Sequence, residues 1–155
     1  MIFGAVLSHH IRRGGSNVFA AIAQVGGGVA GGFLLLDAAL FWVIALPDVS
    51  SAPALLRALH GLSYLCGGVA LALPLAALIG AASLDALRSD SLPRWLAWTG
   101  LVTTIDCLIY ATSLVAASGY WSPSGLVLAA VLPLLWIFAT SIVLVRGQPL
   151  RGQPR

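Results

Sequence analysis

The chain has 155 residues, of which 59% are hydrophobic and only 8% are charged, and its formal net charge is +3. Soluble domains carry about 25% charged residues, so this composition excludes an ordinary water-facing surface. The positive charge comes from arginine alone, without a basic cluster that has interleaved aromatic residues, which argues against a nucleic-acid-binding protein. The composition instead indicates an integral membrane protein whose main partner is the lipid bilayer.

The chain begins with a short apolar run, Met1–Leu7, and His9, His10, Arg12 and Arg13 follow it. This run is too short to cross a bilayer. A secretory signal has its positive charge before the apolar core, so the order here does not fit a signal. We predict a short N-terminal helical stub at the membrane interface. The alternative is the cytoplasmic end of a further span that begins before this chain.

Four longer apolar stretches follow, and each is long enough to cross a bilayer as a helix, which takes about 20 residues. They are predicted near residues 17–46 (span A), 57–84 (span B), 95–117 (span C) and 125–145 (span D). Continuous apolar runs favour helices over strands, because a lipid-facing backbone needs internal hydrogen bonds. We therefore predict an all-α integral membrane protein. Four transmembrane helices form an up-down bundle in a single domain, residues 1–146, and a disordered cytoplasmic tail covers 147–155.

The arginines alternate between the loops that join these spans. The loop between spans A and B holds Arg57 alone, and the connection 118–124 holds no charge. The remaining seven lie before span A, between spans B and C, or after span D: Arg12, Arg13, Arg88, Arg94, Arg146, Arg151 and Arg155. Cytoplasmic loops near span ends are enriched in Lys and Arg. We therefore predict that the N- and C-termini both face the cytoplasm.

Span A contains a glycine-rich run, Val25–Gly32. The run matches the dinucleotide-binding pattern G-x-G-x-x-G, but that site needs a preceding strand and a helix N-terminus, and neither exists in mid-bilayer. Gly27 with Gly31, and Gly28 with Gly32, instead form two G-x-x-x-G pairs. Such pairs let membrane helices approach closely. We predict that these four glycines form a helix-packing face.

Asp37 and Asp106 are the acids within the predicted spans, where a charge is costly and usually faces a partner, a cavity or a pathway. Spans A and C run in the same direction, so the two carboxyl groups are expected at similar depth. His60 and Tyr64 share a face of span B, and Tyr110 shares a face with Asp106. Two interpretations stay open. One is a polar pocket that exchanges protons or holds a cation, and the other is interhelical hydrogen bonding at about 0.6 kcal/mol per contact.

The sequence offers no set of residues for a cofactor or a metal. Haem between helices usually needs axial histidines, and His60 is the sole histidine near a span. Zinc takes several closely set His, Cys or carboxylate ligands, and the sequence holds no such cluster. Cys66 and Cys107 are isolated on different spans and are interpreted as small packing residues, with a disulfide left open. We predict no cofactor and no metal, and an enzymatic activity is not favoured.

Two stretches of the chain carry a resemblance: Leu-Asp-Ala-Leu-Arg over 84–88 and Leu-Pro-Arg-Trp-Leu-Ala-Trp-Thr-Gly-Leu over 92–101. They resemble the junction between spans B and C in uncharacterised multi-pass actinobacterial membrane proteins. The glycine-rich span A and the Trp136 span that ends in an arginine are similar too, so the resemblance covers about residues 7–146. It implies a multi-pass protein of the bacterial inner membrane, with N-terminal spans in many relatives that this chain lacks. It implies no activity.

Two functions fit these features. The first is a non-enzymatic accessory or assembly subunit that pairs with other membrane subunits, or with a second copy of itself, through the face of Gly27 and Gly31. The alternative is a small proton- or cation-coupled transporter that uses the intramembrane Asp37 and Asp106. A membrane-embedded enzyme comes third, because no spacing of these residues dictates a reaction.

Overall fold

The computed structural model describes residues 2–13, 16–89, 92–112 and 123–146. Every regular element in these ranges is helical and none is a strand, so the predicted all-α class is confirmed. The elements are α1 (Ile2–Arg13), α2 (Asn17–Ile44), α3 (Pro47–Ser50), α4 (Pro53–Tyr64), a π-helical turn (Leu65–Val69), α5 (Ala70–Ser89), α6 (Arg94–Thr112) and α7 (Pro123–Arg146). The predicted tail 147–155 and the end of predicted span C, 113–117, lie outside the described residues.

The continuous helix formed by α4, the π-helical turn and α5 is 37 residues long, Pro53–Ser89, and we call it the long helix. It extends beyond predicted span B at both ends. Pro53 sits in the first helical turn, where its missing N–H costs no hydrogen bond. At the other end, the Ser89 hydroxyl donates to the backbone oxygen of Asp85 at 2.8 Å. The long helix therefore continues past Leu84, the end of predicted span B, and Asp85 is buried in this added turn.

The N-terminal helix α1 is longer than the predicted apolar run, because its buried face continues beyond Leu7. Leu7 and Ile11, one helical turn apart, are 1% and 2% exposed. Arg12 lies on the exposed side and donates from Nη2 to Oε1 of Gln24 in α2 at 3.1 Å. The stub is therefore an amphipathic helix that packs along α2.

The π-helical turn lies shortly before Pro74 in the long helix. Pro74 has no N–H to offer the carbonyl of Ala70, and its ring crowds that carbonyl, so the regular hydrogen-bond ladder is interrupted there. Gly67 and Gly68 in the turn have no side chains to resist a wider helix. The interruption of the helix near Pro74 therefore takes the form of a widened turn just upstream.

The long helix lies at the centre of the packing. α2 and α6 pack on it from different sides and make little contact with each other, and α7 packs on α6. Gly26 lies against Pro74 while Asp37 lies against Gly67, so α2 and the long helix are antiparallel. Gly68 lies against Tyr110 while Gly80 lies against Thr104, so α6 is also antiparallel to the long helix. The order of neighbours along the described chain is α1, α2, the long helix, α6, α7.

Two apolar clusters hold these helices together. The larger lies where α5 ends and joins five helices through Leu7, Ile11, Ala20, Ala23, Leu78, Ile79, Ala81, Ala82, Ala86, Leu92, Leu96, Ala97 and Trp136. Small residues dominate its α2 and α5 faces, so the two backbones approach closely. The smaller cluster lies beside the π-helical turn and consists of Val69, Ala72, Ala76, Cys107, Tyr110 and Ala111.

Two helices of the described residues are long and apolar enough to cross a membrane, α2 with a mean hydropathy of 1.8 and the long helix with 2.1. In α7 the apolar segment Val131–Arg146 is shorter. α6 has 19 residues, and its Asp106 and threonines keep its hydropathy below that of the other two. The helical class is thus established, and the number of spans stays a prediction.

Candidate functional site

Polar side chains from three helices meet at the π-helical turn. Ser63 and Tyr64, at the end of α4, are each followed four residues later by a glycine, Gly67 and Gly68. Residues four apart share a helix face. The long helix therefore presents two adjacent stripes, the serine stripe (Ser63 and Gly67) and the tyrosine stripe (Tyr64 and Gly68). α2 packs a side chain on the first, and α6 packs one on the second.

The Asp37 carboxyl group of α2 lies on the serine stripe. Ser63 donates from Oγ to Oδ1 of Asp37 at 2.5 Å. The carboxyl group rests directly on the backbone of Gly67, since a Cβ at that position would lie 2.6 Å from Cγ of Asp37. The missing side chain at Gly67 is therefore what admits the carboxyl group between α2 and the turn.

The Tyr110 phenol of α6 lies on the tyrosine stripe. The side chains of Tyr64 and Tyr110 interact with each other through their hydroxyl groups. A Cβ at Gly68 would lie 3.1 Å from the Tyr110 hydroxyl oxygen, so this glycine also makes room for a polar group. The Tyr110 ring is 8% exposed and belongs to the smaller apolar cluster. Its ring is thus packed in apolar surroundings, and its buried hydroxyl lies on the side of Tyr64 and Gly68.

A cavity of about 210 Å³ opens beside the tyrosine stripe. Gly67, Gly68 and Tyr110 form one wall of it. The other walls are apolar and come from α2, α5 and α7: Leu34, Leu71, Ala72, Leu75, Pro133, Leu134 and Ile137. Asp37 is not among the lining residues. The carboxyl group and the cavity are therefore neighbours at the same turn but separate features.

Two residues of the predicted polar pocket lie apart from these contacts. His60 is exposed, and its Nδ1 lies 3.0 Å from the carbonyl oxygen of Leu56 in its own helix. Asp106 belongs to α6, on a different side of the long helix from α2 and Asp37. Its Oδ2 is buried without a hydrogen-bond partner among the described residues. No contact within the described ranges joins the two aspartates that the sequence places at similar depth.

Both cysteines are buried and free, Cys66 in the π-helical turn and Cys107 on α6. The disulfide that the sequence left open is therefore not formed in this structure. Within the part of the chain that the structure describes, no group of three or more His, Cys, Asp or Glu is placed to hold a metal ion. The chemistry available at the turn is that of one carboxyl group and its hydroxyl partner, which can bind a proton or contact a small cation.

The glycines of α2 divide into packed and open positions. Gly27 is packed against α1, since a Cβ on it would lie 2.9 Å from Cα of Gly4. Gly28 and Gly32 face open space, and outside their own helix no described atom lies within 4 Å of a Cβ built on either. Gly31 is half-buried. The two predicted G-x-x-x-G pairs therefore have different surroundings.

Five described arginines lie at one end of the helices, where α1, α5 and α7 finish and α6 begins: Arg12, Arg13, Arg88, Arg94 and Arg146. We call this the arginine-rich end. The Arg88 guanidinium stacks on Phe19 of α2, with Cζ 4.9 Å from the ring centroid. Arg57 lies near the start of α4, at the opposite end.

Three helices meet closely near the arginine-rich end. Trp136 of α7 donates from Nε1 to the backbone oxygen of Leu96 in α6 at 2.9 Å. A Cβ at Gly100 would lie 2.6 Å from that same Nε1 and would overlap Oγ of Ser83. This contact is structural: it fastens α7 to the other helices through one buried hydrogen bond and one glycine.

Sequence reasoning missed some of these positions. Asp85 is 2% exposed, yet the predicted span ended one residue before it. The sequence feature that could have predicted this is the pair Ala82 and Ala86, two alanines four residues apart on either side of Asp85, both of which are buried. Gly67 and Gly68 were also missed, although their distance of four residues from Ser63 and Tyr64 was legible.

Comparison of the chain with protein-family models, with curated proteins and with solved structures gives no match. The resemblance to multi-pass actinobacterial membrane proteins therefore stays a prediction.

Proposed function

We propose that the chain is a multi-pass protein of a bacterial inner membrane, in which α2, the long helix, α6 and α7 are the four spans. Two helices long and apolar enough to cross a membrane support this. Large apolar side chains on the outer faces of the helices also support it, because lipid solvates such surfaces. Trp42 is 73% exposed and Val102 is 62% exposed. In the proposal the arginine-rich end faces the cytoplasm, which places both termini there.

The proposed role in that membrane is a non-enzymatic accessory or assembly subunit that pairs with another helix through Gly28 and Gly32. The observation that supports it is the open space at these two glycines, whereas Gly26 and Gly27 already contact α5 and α1. A glycine inside a helix costs about 1 kcal/mol relative to alanine. Close approach of a partner helix offsets this cost in a membrane. The pairing face is thus shifted from the pair first expected, Gly27 and Gly31, because α1 covers Gly27.

Self-association is the first form of pairing to test, by energy transfer between differently labelled copies in liposomes. We expect a signal from the wild type and its loss in the double variant Gly28→Leu/Gly32→Leu, with the melting temperature unchanged because neither position is packed. Gly61→Leu is the matched control, since Gly61 also faces open space but lies on α4. The role is overturned if the wild type gives no transfer and no membrane subunit depends on Gly28 and Gly32 for its co-purification.

A second candidate, a small proton- or cation-coupled transporter, is supported by the surroundings of Asp37. A charged side chain at the bilayer centre costs at least about 2.5–3.5 kcal/mol on insertion scales, and such residues often mark a pathway. The carboxyl group has a hydroxyl donor in Ser63 and rests on a π-helical turn, an irregularity that is frequent at functional sites. Because Asp106 lies on another side of the long helix, Asp37 is the carrier in this proposal and Asp106 acts separately.

Proteoliposomes with an enclosed pH indicator and an imposed sodium or proton gradient test the transport role. We expect the Asp37→Asn variant to abolish any flux of the wild type and Asp106→Asn to leave part of it. Ser141→Ala is a control for changes in a span that leave the π-helical turn intact, since its hydroxyl bonds within α7. Equal flux in the wild type and Asp37→Asn removes this candidate and leaves the pairing role untouched.

A further inference from the structure

We propose that an anionic phospholipid binds in a groove between α2 and α5, with its headgroup on Arg88 and one acyl chain along the groove. This lipid site goes beyond both proposed roles. It rests on the proposed membrane location, in which the arginine-rich end faces the cytoplasmic leaflet. Gly28 and Gly32 are not among the residues that line the groove. The apolar walls of the groove, its length and the guanidinium at its end support the proposal.

The groove between α2 and α5 has room for an acyl chain. Its volume is about 530 Å³, and an apolar cavity of about 150 Å³ is already large enough to hold benzene. Its lining residues are all apolar: Ala21, Ile22, Val25, Gly26, Val29, Leu73, Pro74 and Ala77. Val25 and Leu73 are 65% and 52% exposed, so the groove is open along its side. An acyl chain can therefore enter it from the bilayer.

Both walls of the groove lead to Arg88 at the arginine-rich end. On α2, Phe19 precedes the lining residue Ile22 by three positions. On α5, Leu84 and Arg88 follow the lining residue Ala77 by seven and eleven positions. Residues at these spacings share one face of a helix. Because the Arg88 guanidinium is stacked on Phe19, the two faces meet at this cation.

The Arg88 guanidinium is positioned to bind an anion. Stacking on Phe19 engages the flat face of the group, whereas its N–H donors point from the edge and match a phosphate in a bidentate geometry. Arg88 is exposed, and no carboxyl group within the described ranges forms an ion pair with it. A headgroup with a net negative charge is therefore complementary to this end of the groove. A zwitterionic headgroup fits less well, because it carries a cation beside its phosphate.

The distance from the Arg88 contact to the far end of the groove matches one leaflet of a bilayer. Phe19 and Val29 are ten residues apart on α2, or about 15 Å at about 1.5 Å per residue. The hydrocarbon core of a bilayer is about 30 Å thick, so each leaflet contributes about 15 Å. A phospholipid with its headgroup on Arg88 thus has its acyl chain beside the whole groove. A partner helix would cross both leaflets and would leave the guanidinium without an anion.

The test is native mass spectrometry of the full chain, released from nanodiscs that contain equal amounts of phosphatidylglycerol and phosphatidylcholine with identical acyl chains. We expect the wild type to retain about fivefold more phosphatidylglycerol, the factor for one arginine near anionic headgroups. Arg88→Gln should lose most of this preference. Arg146→Gln is the matched control, since it removes the same charge from the same end but on α7, and it should keep the preference.

Narrowing the groove tests the position of the acyl chain. Leu73→Trp adds bulk to the α5 wall and should lower the retention of both lipids. Leu62→Trp is the matched control, because Leu62 is 46% exposed and lies on α4 outside the groove, and it should leave retention unchanged. Both positions are exposed, so neither substitution has to be accommodated in a packed core.

The lipid site is overturned if the wild type retains the two lipids equally, or if Arg146→Gln loses the preference as fully as Arg88→Gln. It is also overturned if Leu73→Trp retains lipid like the wild type. Dimers that retain no lipid would overturn it too and would identify a second copy as the occupant of the groove. Failure of the chain to insert into nanodiscs would overturn the membrane location as well, whereas insertion without the preference overturns the lipid site alone.

Discussion

Near the middle of the long helix, α2 approaches it through Gly26, whereas farther from the arginine-rich end it does so through the Asp37 carboxyl group. In the first contact the glycine is on α2, and the backbone of Pro74 and Leu78 fills the space it leaves. In the second the glycine is on the long helix, and a carboxyl group fills the space at Gly67. The same pair of helices thus uses glycine for dense backbone packing at one place and for admitting a polar group at another.

In the proposed membrane location the difference matters, because helices in lipid gain little from the hydrophobic effect and depend on van der Waals packing and interhelical hydrogen bonds. The Gly26 contact uses the first of these, so it should be sensitive to any added atom. The Asp37 contact uses the second, so it should be sensitive to the polarity of the side chain and tolerate paired changes. Substitutions at the two contacts test this distinction.

The largest effect is expected from Gly26→Val. A Cβ at Gly26 would lie 2.7 Å from the carbonyl oxygen of Pro74 and 2.9 Å from the backbone nitrogen of Leu78, and neither backbone atom can move cheaply. We expect a loss of about 1–3 kcal/mol or more, the cost of overpacking, seen as a lower melting temperature in detergent. Gly61→Val is the matched control, with open space and little expected change. Equal melting temperatures for the two variants would show that the Gly26 contact is not close.

Gly67→Ala should come next, at about 1–2 kcal/mol, because its Cβ would lie 2.6 Å from Cγ of Asp37. Here the obstacle is a side chain, so the loss should be recovered when Asp37 is shortened. A double-mutant cycle with Asp37→Ala should give a coupling energy within about 0.5–3 kcal/mol, measured by thermal or denaturant unfolding. If the losses of free energy in the two single variants simply add in the double variant, Asp37 does not contact Gly67. Gly61→Ala, at an open position, serves as the control.

The apolar runs were enough to predict the helical class, because a backbone surrounded by lipid satisfies its hydrogen bonds in a helix or a closed barrel, and continuous runs without alternation favour the helix. Asp37 was identifiable as a site candidate for a similar reason: an acid in an apolar run is costly unless something faces it. Both inferences need composition and length alone, so they can be made without knowing which helix lies next to which.

The role of Gly67 depends on tertiary information, since a glycine shows its purpose only through the group that packs on it. Gly28 and Gly67 are equivalent in sequence terms, yet one faces open space and the other holds a carboxyl group. The sequence predicts a similar depth for Asp37 and Asp106, but depth says nothing about which helix lies next to which, so whether the two acids meet could not be predicted. The end of predicted span B falls one residue before Asp85, because the burial of that acid depends on its neighbours in the fold.

A smaller effect is expected from Ser63→Ala, which removes the donor to Oδ1 of Asp37. Interhelical hydrogen bonds between membrane helices average about 0.6 kcal/mol with a maximum near 1.7, so we expect a loss in that range. Ser141→Ala should have no comparable effect, because its hydroxyl bonds to Ile137 in its own helix. The free energies of unfolding of the two variants decide this. Equal losses would mean that Ser63 contributes nothing specific to the helix contact.

The smallest effect is expected from the Arg88 contact with Phe19, which joins the end of α5 to the start of α2. Arg88 is exposed, and cation–π pairs at exposed sites contribute about 0.5–1 kcal/mol. A cycle of Arg88→Gln and Phe19→Leu should therefore give a coupling at the lower end of that range, measured by denaturant unfolding. A coupling larger than that at Gly67 would contradict the comparison, since it would mean that the Arg88–Phe19 contact holds α2 to the long helix more strongly than the glycine contacts do. Arg88 is open to solvent and the contact at Gly67 is enclosed. Added salt should therefore weaken the coupling between Arg88 and Phe19 and leave the coupling between Gly67 and Asp37 unchanged.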